Sequence, residues 1–577
     1  MNMAITHRCF IDALPNEIWT TIIQQCITRQ AAEFQYMVID QLLPLTLVSQ
    51  VWRERILATP TLWTDIVLSG DVDEQEMKTI TALHLSKAAS ISIYVIERTS
   101  WDALSTYVIA ERSRISSIWM VTDIRDRRDH PLNWRESLLG ELSPLPALCK
   151  IWCWWPLRVE LDLEFLKFHP KVTDVAGFFL PDADIDGIVS RLHTFCARVN
   201  PTNILPPIEA ARWLKTVGLS TMGPNDYSTD RLHAGNGPLK WESLTSSLWD
   251  NKFNTILLGR IQHTLVYLDI VIHIDNLIIR FLHSLGQLDR LYDCSIRMRT
   301  STDGKIVFDH SVFLSACQAR KLTLALATGF RIDEGVLKML GATLQTVMPE
   351  ITELTIGTTS PEHIFSILHG EGFRMITKLS ISQHPEASFQ LSDTSFVRSI
   401  SSLISVTTNL PLEMLDFLLP SPIQNIKLGE TLTSGKLQMC DFNQWSELHS
   451  LELRVSRRLL LMENFSPKRL RRLVFKSVYD STTLCHYLAQ YPYSCPELDD
   501  LELHAIPEWD IFFIMLERRN LYKYPVSPLR WIRIPDRCPR YLLAPIRQLL
   551  RHVSPLRPSY YELSLHTAQK AVQDPNM

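Results

Sequence analysis

The feature that most constrains this chain is an apolar triplet of the form L-x-x-L-x-L that keeps returning along its length. Its clearest copies start at Leu265, Ile351, Ile376, Leu448 and Leu498, and weaker ones start at Leu148, Leu214, Ile423, Leu470 and Leu529. Alternation inside the triplet predicts a short strand with one buried face. The pattern alone carries little weight, because on the order of 20 such triplets arise by chance in a chain of this length. The interval carries more. Steps of 25 residues separate 351 from 376 and 423 from 448, and steps of 22, 28 and 31 lead on to 470, 498 and 529. Helical stretches fall between them, as at residues 361–369 and 482–490. One short strand plus one helix cannot cover its own apolar face, so copies stacked on one another are the natural solution.

Composition supports an ordered chain. Its 577 residues are 46% hydrophobic and 21% charged, far from the low-hydrophobicity, high-charge signature of disorder. A net charge of −4 from 58 basic and 62 acidic residues offers no field of one sign, which argues against nucleic acid or an anionic membrane as partner. Eleven scattered cysteines fit a reducing compartment. With neither a signal-like apolar start nor a membrane-length apolar run, the sequence predicts a cytoplasmic and/or nuclear protein.

The amino terminus departs from the triplet pattern. In residues 12–26, DALPNEIWTTIIQQC, Pro15 suits a first helical turn, and Leu14, Ile18, Ile22 and Cys26 recur every four residues as one apolar stripe. Residues 44–57 predict a second helix with Leu45, Val48, Trp52 and Ile56 on one face, while Leu47 and Val51 widen that face beyond what one small core requires. Pro60 stops it, and Thr61, Leu62 and Trp63 open a short third element that Ile66 and Leu68 continue. So small a unit gains stability by burying surplus apolar surface against a partner. A helix over residues 74–85 and a strand carrying Ile91, Ile93 and Val95 follow.

The blocks LPNEIW and LVSQVWRERILATPTLW, spread over residues 11–68, resemble the F-box-like domain common in fungal proteins, with its LPxEIxxxI, LSxVCRxWR and TPxLW segments. The resemblance implies docking on a Skp-type adaptor and, through it, a cullin. By motif position, Leu14, Pro15, Ile18, Ile22, Leu45, Val48, Val51 and Trp52 would form the adaptor-binding surface. Two departures stand out: residues 28–43 are longer than in a minimal F-box, and Trp52 sits near where the family often has Cys or Arg. The array resembles the irregular leucine-rich repeats found after F-boxes. It departs where that family favours Asn or Cys, eight residues past the first Leu, with Ser456 and Ile506.

The expected architecture is therefore α/β. A three-helix F-box-like module spans residues 8–70, a helix-strand connection spans 71–110, and an irregular leucine-rich-repeat-like solenoid of short parallel strands and helices runs from 111 to 565. Residues 222–240 read as a loop or insertion, 124–133 as a charged loop, and 566–577 as a polar tail. An ordinary α/β domain with parallel strands shares the same alternation. In repeats of the resembled kind, residues between the inward leucines line the exposed face, which makes Glu452, Arg454, Lys476, Glu502, His504 and Arg533 candidates for target contact.

No phosphate loop, dinucleotide fingerprint, HExxH or nucleophile elbow is present in the sequence. Gly235 and Gly237 read as a turn. Cys149 with Cys153, and Cys485 with His486 and Cys495, lack zinc spacing and read as structural thiols. Lys468, Arg469, Arg471 and Arg472 read as a solvated repeat edge, and IWCWWP at residues 151–156 as a core strand. The chain is thus expected to be no enzyme, with neither cofactor nor metal. The expected role is the substrate-recognition subunit of an SCF-type ubiquitin ligase. The alternatives are an interaction scaffold with no ligase role and an α/β enzyme.

Overall fold

A computed structural model of the chain describes residues 14–31, 38–69, 72–96, 98–120, 134–153, 163–179, 186–198, 208, 211–220, 238–247, 251–275, 277–300, 314–326, 333–358, 361–368, 373–383, 400–410, 421–429, 442–455, 465–477, 481–505, 507–521, 524–534 and 539–551. The expected loop at 124–133, most of that at 222–240, the tail at 566–577, Trp154, Trp155, Gly235, Gly237, Ser456 and Ile506 lie outside the described residues. The chain divides into two compact units, Met1–Leu248 and Trp249–Met577.

The first unit opens with three helices, α1 (Asn16–Ala31), α2 (Val38–Leu45) and α3 (Gln50–Ala58), and a 3-10 turn, Pro60–Leu62. The boundaries differ from the sequence expectation. Pro15 lies just before α1 and its carbonyl accepts from Trp19 N at 3.0 Å. Residues 44–57 do not form one helix. Pro44 sits in the last turn of α2, and α3 starts afresh at Gln50 because Ser49 caps it, its side chain accepting from Trp52 N. The stretch 28–43, unexplained by the F-box pattern, holds the end of α1 and most of α2.

Strand β1 (Asp65–Leu68) follows directly, so Ile66 and Leu68 belong to the first rung of a ladder. It continues through β2 (Ile91–Val95), β3 (Ile115–Met120), β4 (Lys150–Cys153), β5 (Asp174–Phe179), β6 (Thr194–Arg198), β7 (Thr216–Ser220) and β8 (Ser243–Ser246), each parallel to the next. Helices such as α4 (Val72–Leu85) and α5 (Arg98–Ala110) link successive rungs. The helical trio closes over the start of this ladder. Trp19, Ile23, Ile27, Ile39, Leu42 and Ile56 form one core with Trp63, Val67 and Ile96. A solenoid needs such a cap, because its first rung has no neighbour to cover its apolar side.

The second unit is an eleven-strand parallel ladder among the described residues: β9 (Tyr267–Ile274), β10 (Asp293–Thr300), β11 (Lys321–Leu326), β12 (Glu353–Thr358), β13 (Lys378–Gln383), β14 (Ser405–Thr408), β15 (Asn425–Leu428), β16 (Ser450–Val455), β17 (Arg472–Ser477), β18 (Asp500–Leu503) and β19 (Trp531–Arg533). All ten sequence triplets are strands, each strand starting two residues after the first apolar residue. Register stacks equivalent residues rung on rung, so that Leu354, Leu379, Val406, Ile426, Leu451 and Leu473 form one buried column. Linking helices bury apolar residues at three- and four-residue spacing, as with Leu337, Leu340, Leu344 and Val347 of helix Glu334–Val347. Each unit is an α/β solenoid of leucine-rich-repeat-like rungs, irregular in step.

Arginines join neighbouring repeats. The last carbonyls of a helix have no partner within it. Arg114 donates to Leu83 O and Ala89 O, Arg191 to Leu166 O, and Arg518 to Ala489 O, in each case reaching the preceding helix or its exit. Arg519 goes further. Only 2% exposed, it donates to five carbonyls, those of Pro492, Ser494, Cys495, Leu498 and Ser527, and so fixes a turn in which Cys495 takes φ of 50°.

Candidate interaction surfaces

The eight adaptor-binding candidates fall on two sides of the helical trio. In α1 the inward stripe is Trp19, Ile23 and Ile27, one position on from Ile18, Ile22 and Cys26 of the expected stripe. Trp19 sets this choice: its ring meets Trp52 edge-on at 5.6 Å and lies under the Arg55 guanidinium. Leu14, Leu45 and Trp52 accordingly pack, half-buried, against the trio's own core. Pro15, Ile18, Ile22, Val48 and Val51 face outward, with Ile18 51% and Val48 54% exposed. Leu43, Leu47 and Leu57, which no motif position singled out, are exposed with them. So much uncovered aliphatic surface on three short helices is unusual for a chain that works alone.

Five of the six target-contact candidates lie on four adjacent strands, β16 to β19, on the side away from the buried columns, and His504 follows directly on β18. Glu452 is bracketed by Lys427 at 3.3 Å and Lys476 at 2.8 Å. Burial pushes its carboxyl up, but the two ammonium groups outweigh burial and hold it below the usual carboxylate range. Glu502 is likewise pushed up by burial and held down by its hydrogen bond with His504 and by Arg533 and Arg472. Arg454 stands opposite Lys476 in register. Sequence reasoning missed Lys427 and Arg472 as members of this set. Their strand position, matching that of a neighbour already chosen, was the signal for Lys427; Arg472 had been read as part of a basic run.

In that run, Arg469 pairs with Glu447 and Arg471 with Glu497 at the strand entry, as expected for a solvated edge.

No protein-family description matches this sequence, and no curated protein matches it. Among solved structures, an internalin from Listeria monocytogenes is similar over 77% of this chain and 88% of its own, at 10% identity and a TM-score of 0.22. The repeat assignment rests on the strand ladder itself.

Trp152, from the IWCWWP segment, is half-buried on the outward side of β4. Its ring lies 4.5 Å from that of Trp119, which stacks at 5.5 Å on Tyr94. Tyr94 in turn packs against the core that the helical trio shares with Trp63, Val67 and Ile96. Cys153, Cys485 and Cys495 are buried, Cys149 is half-buried, and burial pushes the Cys495 thiol up to about 12, so it is a poor nucleophile. His486 faces outward from the same helix that buries Cys485. Among the described residues no group of three or more His, Cys, Asp or Glu could hold a metal ion. No helix among them is long and apolar enough to cross a membrane.

Proposed function

We propose that the chain is the target-recognition subunit of an SCF-type ubiquitin ligase, in which the helical trio docks on a Skp-type adaptor, the adaptor reaches a cullin, and the strand ladders hold a target protein. The observation that carries this reading is the division of labour within the trio. Its inner face seals the first ladder, and its outer face leaves Ile18, Ile22, Leu43, Leu47, Val48 and Val51 uncovered. Burying their exposed portions is worth on the order of 5 kcal/mol before the cost of association. Four of these six were named from the F-box motif alone. The role is positional: holding a target lysine near a ubiquitin-loaded enzyme makes their encounter effectively intramolecular, so the chain needs no catalytic residue of its own. Such a complex would act in the cytoplasm and/or nucleus.

A repeat scaffold with no ligase role is the second reading, favoured by the packing of the trio on Val67, Ile96 and Tyr94, which a plain end-cap also requires. Purified Skp-type adaptor separates the two. The full chain should capture it, and Ile18→Asp with Val51→Asp should abolish capture with little loss of stability, because both positions already face water. Capture that survives the double substitution, or never occurs, leaves the scaffold reading.

A further inference from the structure

The outward positions of β15 to β19 present charge in two levels. Glu452, Asp500 and Glu502 lie low, with side chains 20%, 25% and 15% exposed. Above them stand Lys427, Arg472 and Arg533, at 53%, 44% and 50%. With Arg454 and Lys476 included, five cations face three carboxylates on these strands, and His504 adds a further positive charge when protonated. Each carboxylate is already engaged: Glu452 by two lysines, Glu502 by Arg472, Arg533 and His504, and Asp500 by Arg472. An approaching molecule therefore meets positive charge first, on a surface whose negative groups are occupied beneath.

We infer that this face receives a carboxylate-rich segment of the partner protein, an inference that rests on the reading of the ladder as the target-holding part. Two arguments favour an acidic peptide over nucleic acid. A nucleic-acid site typically neutralises about 6–10 phosphates, more than this patch can match. The chain as a whole is also negative, at −4, so no long-range attraction draws in a polyanion. A short acidic segment needs only local complementarity, within a Debye length of about 8–10 Å.

The test uses the full chain and a fluorescein-labelled peptide of about 9 residues alternating Glu and Ser, followed by anisotropy at salt rising from about 50 to about 300 mM. The acidic peptide should bind and weaken as salt rises, while a Lys-Ser peptide should not bind. Arg454→Glu with Arg533→Glu should weaken binding about tenfold or more. Glu452→Gln releases Lys427 and Lys476 and should tighten binding about threefold, a change of opposite sign that no loss of structure would produce. Indifference to peptide charge, affinities unmoved by both variants, or tighter binding of single-stranded DNA of equal charge would overturn the inference. No adaptor is present in this experiment, so its failure leaves the adaptor-capture result standing, and the reverse holds too.

Discussion

The two ladders are built alike on the inside and differently on the outside. Both stack apolar residues of successive strands into buried columns, and both tie helix exits to the next repeat through arginine, at Arg114 and Arg191 in the first and Arg518 and Arg519 in the second. On the outward side, the first ladder carries the ring column Tyr94, Trp119 and Trp152, whereas β15 to β19 of the second carry interleaved ion pairs. The inner columns are dictated by the need to exclude water, and any solenoid of this kind must solve that problem the same way. The outer columns record what covers them. The first begins, through Tyr94, against the core that the helical trio shares with β1, and Lys427, Arg472 and Arg533 of the second are exposed. Exposed ion pairs contribute about 0–1 kcal/mol each, too little for stability alone to explain so dense a set.

If burial governs how much each ladder depends on its arginines, Arg519 and Arg114 should differ most. Replacing Arg519 by Met strips five carbonyls of a donor in a site closed to water, and should cost about 3–5 kcal/mol. The Arg114 side chain is 10% exposed and pairs with the 38% exposed Glu111, so its site is less closed and Arg114→Met should cost about 2 kcal/mol. Hydrogen exchange resolved by peptide reads each ladder separately. Equal losses would mean that burial is not what distinguishes them.

Helix packing gives a comparison of opposite sign. In the second unit, a Cβ at Gly341 would lie 2.3 Å from Ile367 O of the next helix, so Gly341→Ala must push two helices apart, at about 1–3 kcal/mol. In the first unit, Gly140 sits in helix Trp134–Leu142 with nothing within 4 Å of the same position, and Gly140→Ala should stabilise by about 0.5–1 kcal/mol. Thermal unfolding of the two variants checks the signs, and a stabilising Gly341→Ala would show that the helices of the second unit have room to spare.

The inner columns were legible in the sequence to the extent that their residues were Leu, Ile or Val. The gap between the triplets at 376 and 423 holds Leu403, Val406 and Thr408, where the third apolar position has become Thr. Strands β10 and β11 follow the same rule with Cys294 and Ala319, β6 with Phe195 and Ala197, and β8 with Trp241 and Ser246. Spacing survives in each case, so a search that held the offsets and relaxed the residue type would have found them. The exposed apolar positions of the trio were legible through motif position, although the face on which α1 packs was not. Leu14, Ile18 and Ile22 make as good a stripe as Trp19, Ile23 and Ile27, and only contact with Trp52 and Arg55, far along the chain, decides between them. The two-level charge pattern could not be read at all from order along the chain, because its pairs lie a repeat apart.

The smallest expected effect separates the ladders by pH. Asp65, on β1, has its carboxyl raised by burial, against a weaker opposing hydrogen bond with Ser92. The folded chain then holds a proton that the unfolded chain, with a carboxyl near 3.9, has already lost. This contribution is present below about pH 3.9 and fades as pH rises through the raised value. Glu353, on β12, is the reverse. The hydrogen bond from Lys378, and then that from Lys321, hold its carboxyl down despite burial. Its contribution is present above about pH 4.3 and is lost as pH falls through the lowered value. Asp65→Asn should therefore protect the first ladder at pH 7 and make no difference in acid, while Glu353→Gln should weaken the second at pH 7 and converge with the parent in acid. Both changes should stay below about 1 kcal/mol, since Glu353 is 32% exposed and screened and Asp65 gives up a hydrogen bond when replaced. Hydrogen exchange at both pH values reads them, and the same sign in both ladders would remove electrostatics from the difference between the two outer faces.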